Sequence, residues 1–356
     1  MSGNTTSRLV RKYDAAGRVQ MAESSVTSHG SRLSPQDNLF LVHHYEPPQP
    51  NPDPRLEIVS PATGGSRHVS IGDLRELPAR RIVSVQECAG NGRGLLSKRV
   101  PGTQFGLGLF HQVEWTGVSL RDLLHEDELR DGDWTTVVVE AEDGGMVMPE
   151  NVEADFAKGL PRQKALDPDT ILAYEMNDGP VPHEHGGPVR LVVPGWYGIW
   201  WVKWPRRIRF SSEPFEGFWQ KERYTYQADD GSVLSVVTDQ LPRALVVHPG
   251  VGQSVNPGED IEILAWAGDH QVASVDVSLT DGQEWGAATL VDSGDRWEWS
   301  RWRFQVPGDI TPGLWRIAAR ATDSEGRVQP MSPRRNRLGY GNNCVSPVEV
   351  HVVPKP

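Results

Sequence analysis

Short apolar runs separated by turn residues are the main pattern along the chain up to about residue 212. Three runs have the length and apolar content of strands: Ile82–Val85, Thr135–Glu140 and Val189–Val193. The last is an apolar run apart from Arg190, which is typical of a strand buried on both faces of a sheet. Two segments are predicted as short helices, Ser119–His125 and Pro149–Leu160, the second because a proline and an acidic residue open it.

The pattern changes beyond residue 235, where short strand-like runs follow one another without a helical period. Pro-Gly, Asp-Gly and Gly-Asp turns separate these runs: Leu245–His248, Asp260–Trp266, Val272–Leu279, Trp297–Val306, Leu314–Thr322 and Val348–Val353. This texture predicts an immunoglobulin-like β-sandwich of about a hundred residues.

These patterns divide the chain into three parts. Residues 1–33 are rich in Ser, Thr, Arg and Gly, which predicts a flexible arm or one that orders against a partner. Residues 34–234, including a connection from residue 213, are predicted as a mixed α/β domain. Residues 235–356 are predicted as the β-sandwich. The expected fold class is therefore α+β.

The bulk properties exclude several classes of protein. The 356 residues suffice for two domains, and the net charge of −11 argues against a nucleic-acid partner. An anionic ligand therefore needs a local group of cations. Two cysteines exclude a disulfide framework, and no apolar stretch is long enough for a membrane span. The polar N-terminus favours the cytoplasm, although a removed export signal leaves the periplasm open.

Cys88 is the candidate for chemistry, because it leaves an apolar strand and enters a Gly/Asn turn. The glycines around it, such as Gly90 and Gly92, allow the backbone to approach a ligand closely. The adjacent Arg93 favours the thiolate and attracts an anion. The alternative is a buried, inert cysteine, and burial statistics alone favour the two interpretations about equally.

The residues around Cys88 resemble the cysteine loop of the sulfite oxidase family of molybdenum enzymes. Glu87–Arg93 reads Glu-Cys-Ala-Gly-Asn-Gly-Arg. Further on, His185–Gly198 and Val202–Trp204 are similar to the pterin-binding stretch of that family, and Val113–Val118 and Gly339–Asn343 match in order and spacing. The resemblance extends from residue 34 to the C-terminus.

The resemblance implies a Mo-molybdopterin cofactor, with Cys88 as the protein's ligand to the metal. A thiolate is a soft donor that suits a metal cycling between oxidation states. His185, Arg190 and Lys203 match pterin-contacting positions, where Arg190 grips a phosphate and Lys203 adds a point charge. Their alternative interpretations are a turn histidine and solvated charges at strand ends.

A third pterin segment aligns with Phe40–Tyr45, which reads Phe-Leu-Val-His-His-Tyr. The resemblance implies that His44 and Tyr45 contact the cofactor through a ring nitrogen and a hydroxyl. His43 stands where many family members carry a substrate-binding arginine. It is expected to be cationic only part of the time, because the usual pKa of histidine is about 6.5.

The implied substrate pocket also departs from the family at a second position. Arg93 matches an anion-binding arginine, and Tyr224 matches a pocket tyrosine that orients substrate, its alternative being a linker residue over the core. Leu338 stands where animal-type members have an arginine, and Arg337 is one position away. With one firm arginine, we expect weaker binding of a dianion or a different sulfur substrate.

The function implied by the resemblance is oxidation of sulfite to sulfate by oxygen-atom transfer. Electrons are expected to pass to a separate acceptor, a cytochrome or oxygen, because the chain carries no Cys-x-x-Cys-His haem motif. The second domain is expected to form a homodimer. The same cofactor acting on another sulfur compound, as a sulfane dehydrogenase or an S-oxide reductase, is the alternative.

The sequence is also compatible with two other classes of protein. A binding or structural protein would pair an immunoglobulin-like module with a cofactor-free α/β domain and would hold no metal. A cysteine hydrolase would need a base beside Cys88, which His111 or His185 would supply.

Overall fold

Strands dominate the computed structural model of the chain. It describes residues 8–15, 17–60, 64–125, 129, 133–334 and 336–354. In the N-terminal part, the strands are β1 (Leu9–Tyr13), β2 (Val19–Glu23), β3 (Leu41–Val42), β4 (Leu56–Val59), β5 (Ser66–Val69), β6 (Ala79–Glu87), β7 (Phe110–Ser119), β8 (Thr136–Val147), β9 (Val152–Pro161), β10 (Ile171–Met176), β11 (Gly179–Pro180), β12 (Arg190–Val192), β13 (Pro205–Ser211), β14 (Thr225–Gln227) and β15 (Val233–Val236).

The described residues contain two short α-helices, α1 (Ile71–Glu76) and α2 (Arg162–Ala165). The remaining helical pieces are single turns: 3₁₀ helices at Val26–Ser28, Gln36–Asn38, Arg93–Leu95, His183–His185 and Gly198–Trp200, and a π-helix at Trp219–Arg223. A capping box begins α1, because Ser70 and Asp73 each accept the other's backbone N–H. None of the described helices is long and apolar enough to cross a bilayer.

Two five-stranded sheets enclose the core of the first domain. One follows the order β11-β10-β7-β6, with β12 also pairing β10, and the other follows β5-β4-β13-β8-β9. Strand β7 is buried along almost its whole length, with Trp115 fully inaccessible. The core between the sheets is rich in indole rings, among them Trp200 and Trp201.

The second domain is built from two sheets that share one apolar core. Its strands are β16 (Arg243–His248), β17 (Ser254–Val255), β18 (Asp260–Trp266), β19 (Val272–Ser278), β20 (Gly286–Ala287), β21 (Thr289–Asp292), β22 (Ser300–Gln305), β23 (Gly313–Asp323) and β24 (Val348–Val352). The sheet orders are β16-β18-β22-β21 and β17-β24-β23-β19-β20. The buried residues of β24 alternate with exposed ones, as expected when one face covers a core. The finer assignment as immunoglobulin-like stays a prediction.

Each run predicted as a strand contains a strand in the structure, but both predicted helices are wrong. Pro149–Leu160 falls on β9, which forms a long antiparallel ladder with β8 through a turn at Asn151, whose φ is 56°. In Ser119–His125, Ser119 ends β7 and residues 120–123 form turns. A short helix has a costly nucleus, whereas pairing with β8 satisfies the backbone of β9 and buries its apolar positions. The fold therefore holds less helix than the expected mixed α/β domain.

The structure also differs from the expected flexible arm for the described residues of segment 1–33. Strands β1 and β2 form an antiparallel hairpin, and β2 pairs with β3. Glu23 of this hairpin is buried and forms an ion pair with Arg11. His29 is fully buried beside the Phe110 ring and contacts the hydroxyl of Ser34 at 2.9 Å. The segment is thus ordered against its own chain, while residues 1–7 and 16 lie outside the described residues.

A fully buried ion pair joins the two domains directly beside Cys88. Glu87 ends β6 in the first domain, and its carboxylate lies 2.8 Å from Nε of Arg243 on β16 in the second. Trp266 of β18 donates to the other carboxylate oxygen at 2.9 Å. Because a buried charge needs partners, this contact fixes the end of β6 relative to the sandwich.

We expect Arg243→Met to lower the free energy of unfolding by about 3–5 kcal/mol, because it leaves the Glu87 carboxylate buried without its countercharge. Urea denaturation measures the loss. The matched control is Arg316→Met, which removes an exposed ion pair with Asp281 and should cost about 1 kcal/mol or less. Equal losses in the two variants would contradict a structural role for the buried pair.

Candidate active site

The loop that carries Cys88 is held by hydrogen bonds from both of its sides. The Cys88 N–H donates to Leu109 O at 2.9 Å, and the thiol sulfur accepts from the Gly90 N–H at 3.5 Å. Asn91 bridges the loop, since its amide donates to Glu87 and its carbonyl accepts from the Leu109 N–H. Glu87 and Asn91 of the motif therefore shape the loop. Burial raises the pKa of the Cys88 thiol.

Two cavities meet at Cys88. The first, here called the His185 cavity, is lined among others by Leu41, Asp143, His185, Arg190, Trp201 and Lys203. The second, the Arg93 cavity, is lined among others by Lys12, Arg93, Phe105, Trp219, Arg223 and Tyr340. Cys88, His44 and Tyr224 line both. The thiol thus stands at the boundary between two distinct chambers.

Arg190 lies at the bottom of the His185 cavity and is 2% exposed. Its guanidinium donates to His185 O at 2.7 Å and Trp201 O at 3.1 Å and stacks over the Trp115 ring, while its Nε has no partner. Burial lowers the pKa of Arg190 to about 9. An arginine held by carbonyls instead of a carboxylate has capacity left for an anionic ligand.

Lys203, which lies between β12 and β13, and Asp143, which lies on β8, face the same cavity. Lys203 Nζ donates to Val42 O at 3.1 Å. Burial lowers the pKa of Lys203 to about 7, and the charge of Asp143 opposes this shift with a smaller effect. Burial raises the pKa of Asp143 to about 6, and its Oδ1 has no hydrogen-bond partner. The cavity therefore presents two desolvated cations and two carboxylates, Glu184 and Asp143, of which Asp143 has an oxygen without a partner.

These side chains fit a pterin that carries a phosphate. The phosphate would offset the desolvation of Arg190 and Lys203 and satisfy the orphaned Nε of Arg190. The amino and ring N–H groups of a pterin would satisfy the free oxygen of Asp143. Gly186 allows the Lys203 side chain to pack closely against the loop, because a Cβ at this position would lie 2.7 Å from that side chain.

His43 and Tyr45 occupy positions different from those expected of them. His43 is buried, lines neither cavity, packs against Trp204, and leaves both ring nitrogens without partners. Burial lowers its pKa strongly, followed by the charge of Lys203, so it is not the part-time cation expected in the substrate pocket. Tyr45 lines only the Arg93 cavity, where its hydroxyl bonds Ala154 O and accepts from Trp219.

His44 and Tyr224 form a pair at the boundary of the cavities. The Tyr224 hydroxyl lies 2.8 Å from His44 Nε2, and the His44 ring stacks on Trp219. Burial, and then the Lys203 charge, lowers the pKa of His44 to about 3. Burial raises the pKa of Tyr224 well above its usual value. A neutral imidazole therefore faces a protonated phenol.

Lys158 is a site-supporting residue that the sequence pattern did not reveal. It lies on β9, fully buried, donates to Trp219 O at 2.7 Å, and stands 5.3 Å from the centre of the Tyr224 ring. The helix predicted over this segment hid it, since only the ladder with β8 directs its side chain inward. Asp143 was missed for a similar reason, because nothing local marks it as buried.

Arg93 supports the Arg93 cavity from the short helix after the cysteine loop. Its guanidinium lies between Gly90 and Gly102 and over the Tyr340 ring, 4.7 Å from the ring centre. Gly102 has a φ of 97°, and a Cβ there would lie 2.8 Å from Arg93. Arg337 bonds Gln227 and lines neither cavity, so it does not replace the arginine absent at Leu338.

The cysteine-hydrolase hypothesis named His111 and His185 as bases, and neither is hydrogen-bonded to the Cys88 thiol in the described structure. His111 bonds Gln86 through Nε2 at 3.0 Å and lines neither cavity. His185 lies beside Glu184. Burial, and then the charges of Arg190 and Lys203, lowers the pKa of His185 well below its usual value, so its ring is neutral. His111 thus belongs to the buried core, and His185 lines the cavity that contains Arg190 and Lys203.

Comparison with known protein families matches residues 44–219 to the "Oxidoreductase molybdopterin binding domain" and residues 232–353 to the "Mo-co oxidoreductase dimerisation domain". Sulfite oxidase of Gallus gallus is 32% identical over 324 residues, covering 84% of this chain and 68% of that protein. The chain belongs to the sulfite oxidase family of molybdopterin-binding oxidoreductases. The resemblance of the Cys88 loop and the His185–Gly198 stretch is thereby confirmed, and the cofactor is Mo-molybdopterin.

Other members of the family differ in what their names say they act on. Mitochondrial sulfite oxidase of Homo sapiens is 30% identical over 347 residues, covering 90% of this chain, which spans 62% of the human protein. Inducible nitrate reductase [NADH] 2 of Glycine max is 28% identical, covering 78% of this chain and 35% of that protein. A solved structure, the sulfane dehydrogenase SoxCD from Paracoccus pantotrophus, has a TM-score of 0.79 at 25% identity, covering 96% of this chain and 87% of that one.

The lowered pKa of Lys203 predicts a pH dependence in cofactor-free protein. The unfolded chain keeps this proton to about pH 10.4, whereas the folded chain loses it near pH 7, so folding is favoured as the pH rises. We expect stability to rise between pH 7 and 8 more steeply than in Lys203→Met, by at most about 1.4 kcal/mol per pH unit. Urea unfolding measures both slopes.

Lys221→Met is the control for that experiment. Lys221 is exposed and pairs with Glu216, so this variant should keep the wild-type slope. Identical slopes in wild type and Lys203→Met would show that Lys203 stays protonated in the fold.

Proposed function

We propose that the chain oxidises sulfite to sulfate and passes the electrons to a separate acceptor. The observation that carries this proposal is the position of Cys88 between two cavities of different chemistry. One contains buried cations suited to a pterin phosphate, and the other contains Arg93, suited to a small anion. A metal on the Cys88 sulfur would face both.

The proposed cofactor contacts come from the His185 cavity. Arg190 and Lys203 would hold the phosphate, and Asp143 would accept hydrogen bonds from the pterin ring. His44 and His185 would close the cavity beside them, with the unpartnered ring of His43 behind. When bound, the molybdenum centre supplies the two-electron chemistry that moves an oxygen atom to sulfur.

The chain's own part in the proposed reaction is to bind and orient the anion. Arg93, free of any carboxylate partner in the described structure, would attract sulfite into its cavity. Tyr224 stays protonated at ordinary pH, so its hydroxyl can donate to an oxygen of substrate or product in place of His44. The reaction balances as sulfite and water giving sulfate, two protons and two electrons.

A second sulfur compound is the alternative that specific observations favour. The likeness to the sulfane dehydrogenase extends over almost the whole chain, and His43 does not supply the charge of the expected arginine. Met21, Met146 and Met148 also line the Arg93 cavity and would suit a sulfur substrate with an apolar substituent. An S-oxide reductase remains a weaker alternative, since a neutral substrate does not need Arg93.

The proposed assembly is a homodimer formed through the second domain, which matches the dimerisation domain of the family. We propose the limits 34–234 for the catalytic domain and 235–356 for the dimerisation domain. A cytochrome or oxygen is the proposed electron acceptor, and the cytoplasm the proposed compartment, with the periplasm as its alternative.

Metal analysis combined with sulfite reduction tests the proposed function. We expect about one molybdenum per chain, as one Cys88 ligand implies, and bleaching of the visible spectrum by sulfite. Cys88→Ser should fold and lose activity, while the control Cys344→Ser, away from both cavities, should keep it. A sulfite-active Cys88→Ser protein would overturn the ligand assignment. Molybdenum without bleaching would favour the other sulfur substrate.

A further inference from the structure

The Arg93 cavity carries much more positive charge than the sequence motifs indicated. Lys12, Arg93 and Arg223 all line it, and none of the described residues that line it has a carboxylate. The chain as a whole has a net charge of −11. A concentration of cations in one cavity of an acidic protein is the electrostatic signature of an anion-binding site.

Arg223 reaches the cavity from the end of the π-helix Trp219–Arg223, directly before Tyr224. Its side chain is 23% exposed and forms an ion pair with Glu150, which lies in the turn between β8 and β9. Burial raises the pKa of Tyr224 and of Tyr340, and the charges of Arg93 and Arg223 oppose that rise in both rings. The two guanidinium groups therefore act on the same pair of rings at the cavity wall.

Lys12 reaches the cavity from the opposite side, on the N-terminal hairpin. It is paired with Met21 across β1 and β2, and both residues line the cavity. The ion pair of Arg11 with the buried Glu23 joins the two strands of this hairpin. The segment expected to be a flexible arm is thus a wall of the cavity.

We propose that this cavity is a three-cation site for a dianionic sulfur oxyanion, in which Arg223 and Lys12 supply the charge that is absent at Leu338. The inference rests on the proposed function and names the residues that select its substrate. Arg93 provides a buried contact, and Lys12 an exposed charge on the N-terminal hairpin. Glu150 competes with the oxyanion for Arg223, because the same guanidinium edge serves both.

Isothermal titration calorimetry of sulfate binding to the oxidised holoprotein tests the site without turnover. We expect Arg223→Met to weaken sulfate binding about tenfold or more, because it removes a partly buried charged hydrogen-bond donor. Lys12→Met should weaken it about two- to fivefold, as expected for an exposed charge. The KM for sulfite should rise in parallel, while kcat changes less.

Glu150→Gln gives a change of opposite sign. Without its carboxylate, Arg223 is free for the oxyanion, and sulfate affinity should rise about two- to fivefold. Arg223→Lys should keep part of the affinity that Arg223→Met loses, because the charge is retained. The matched control is Lys221→Met in the same π-helix, which pairs with Glu216 outside the cavity and should leave sulfate affinity unchanged.

The proposal is overturned if Arg223→Met and Lys12→Met bind sulfate as wild type does, or if Glu150→Gln binds it more weakly. Should Arg223→Met fail to fold, the opposite signs expected for Glu150→Gln and Lys12→Met decide the question. Failure of the proposed function has a different result: sulfite does not reduce the holoprotein, yet sulfate binding still depends on Arg223. Normal sulfite turnover with sulfate affinity unchanged in every variant would leave the function and remove the site.

Discussion

The buried carboxylate of Glu87 is the contact on which the position of Cys88 depends. It receives Arg243 and Trp266 from the second domain and Asn91 from the cysteine loop itself. A charge with no exposed surface is tolerated only when such partners surround it, so the arrangement has little freedom to shift. The loop that presents the thiol is therefore built by both domains, although Cys88 itself belongs to the first.

Uncompensated positive charge is the second constraint on the site. Arg190 and Lys203 are desolvated, and neither forms an ion pair with a carboxylate in the described structure, although the charges of Asp143 and Glu184 partly oppose the effect of burial on Lys203. Such a group of cations costs free energy in the empty fold and is offset by an anion. In the proposed cofactor site, the phosphate of the cofactor would supply that anion, and cofactor binding would then stabilise the fold. The net negative charge of the rest of the chain confines this attraction to the cavities.

Local sequence was informative where chemistry and backbone geometry coincide. The Glu-Cys-Ala-Gly-Asn-Gly-Arg segment identified Cys88, and its Asn91 has the bridging role that a loop of this shape needs. The strand runs of both domains were predicted because alternating or continuous apolar residues report burial directly. The helix predicted over Pro149–Leu160 failed because a proline and an acidic residue also suit the turn that opens a strand.

The sequence by itself determined the family, the cofactor, the strands of the second domain and the residue types proposed to hold a metal and a phosphate, because these are encoded in contiguous motifs. Only the tertiary structure decided which charges share a cavity. Lys12, Arg223 and Glu150 are far apart along the chain and converge through the hairpin, the π-helix and the β8–β9 turn. It also placed His43 away from the substrate side. Such convergence depends on strand pairing and burial across the whole fold, which no local pattern specifies.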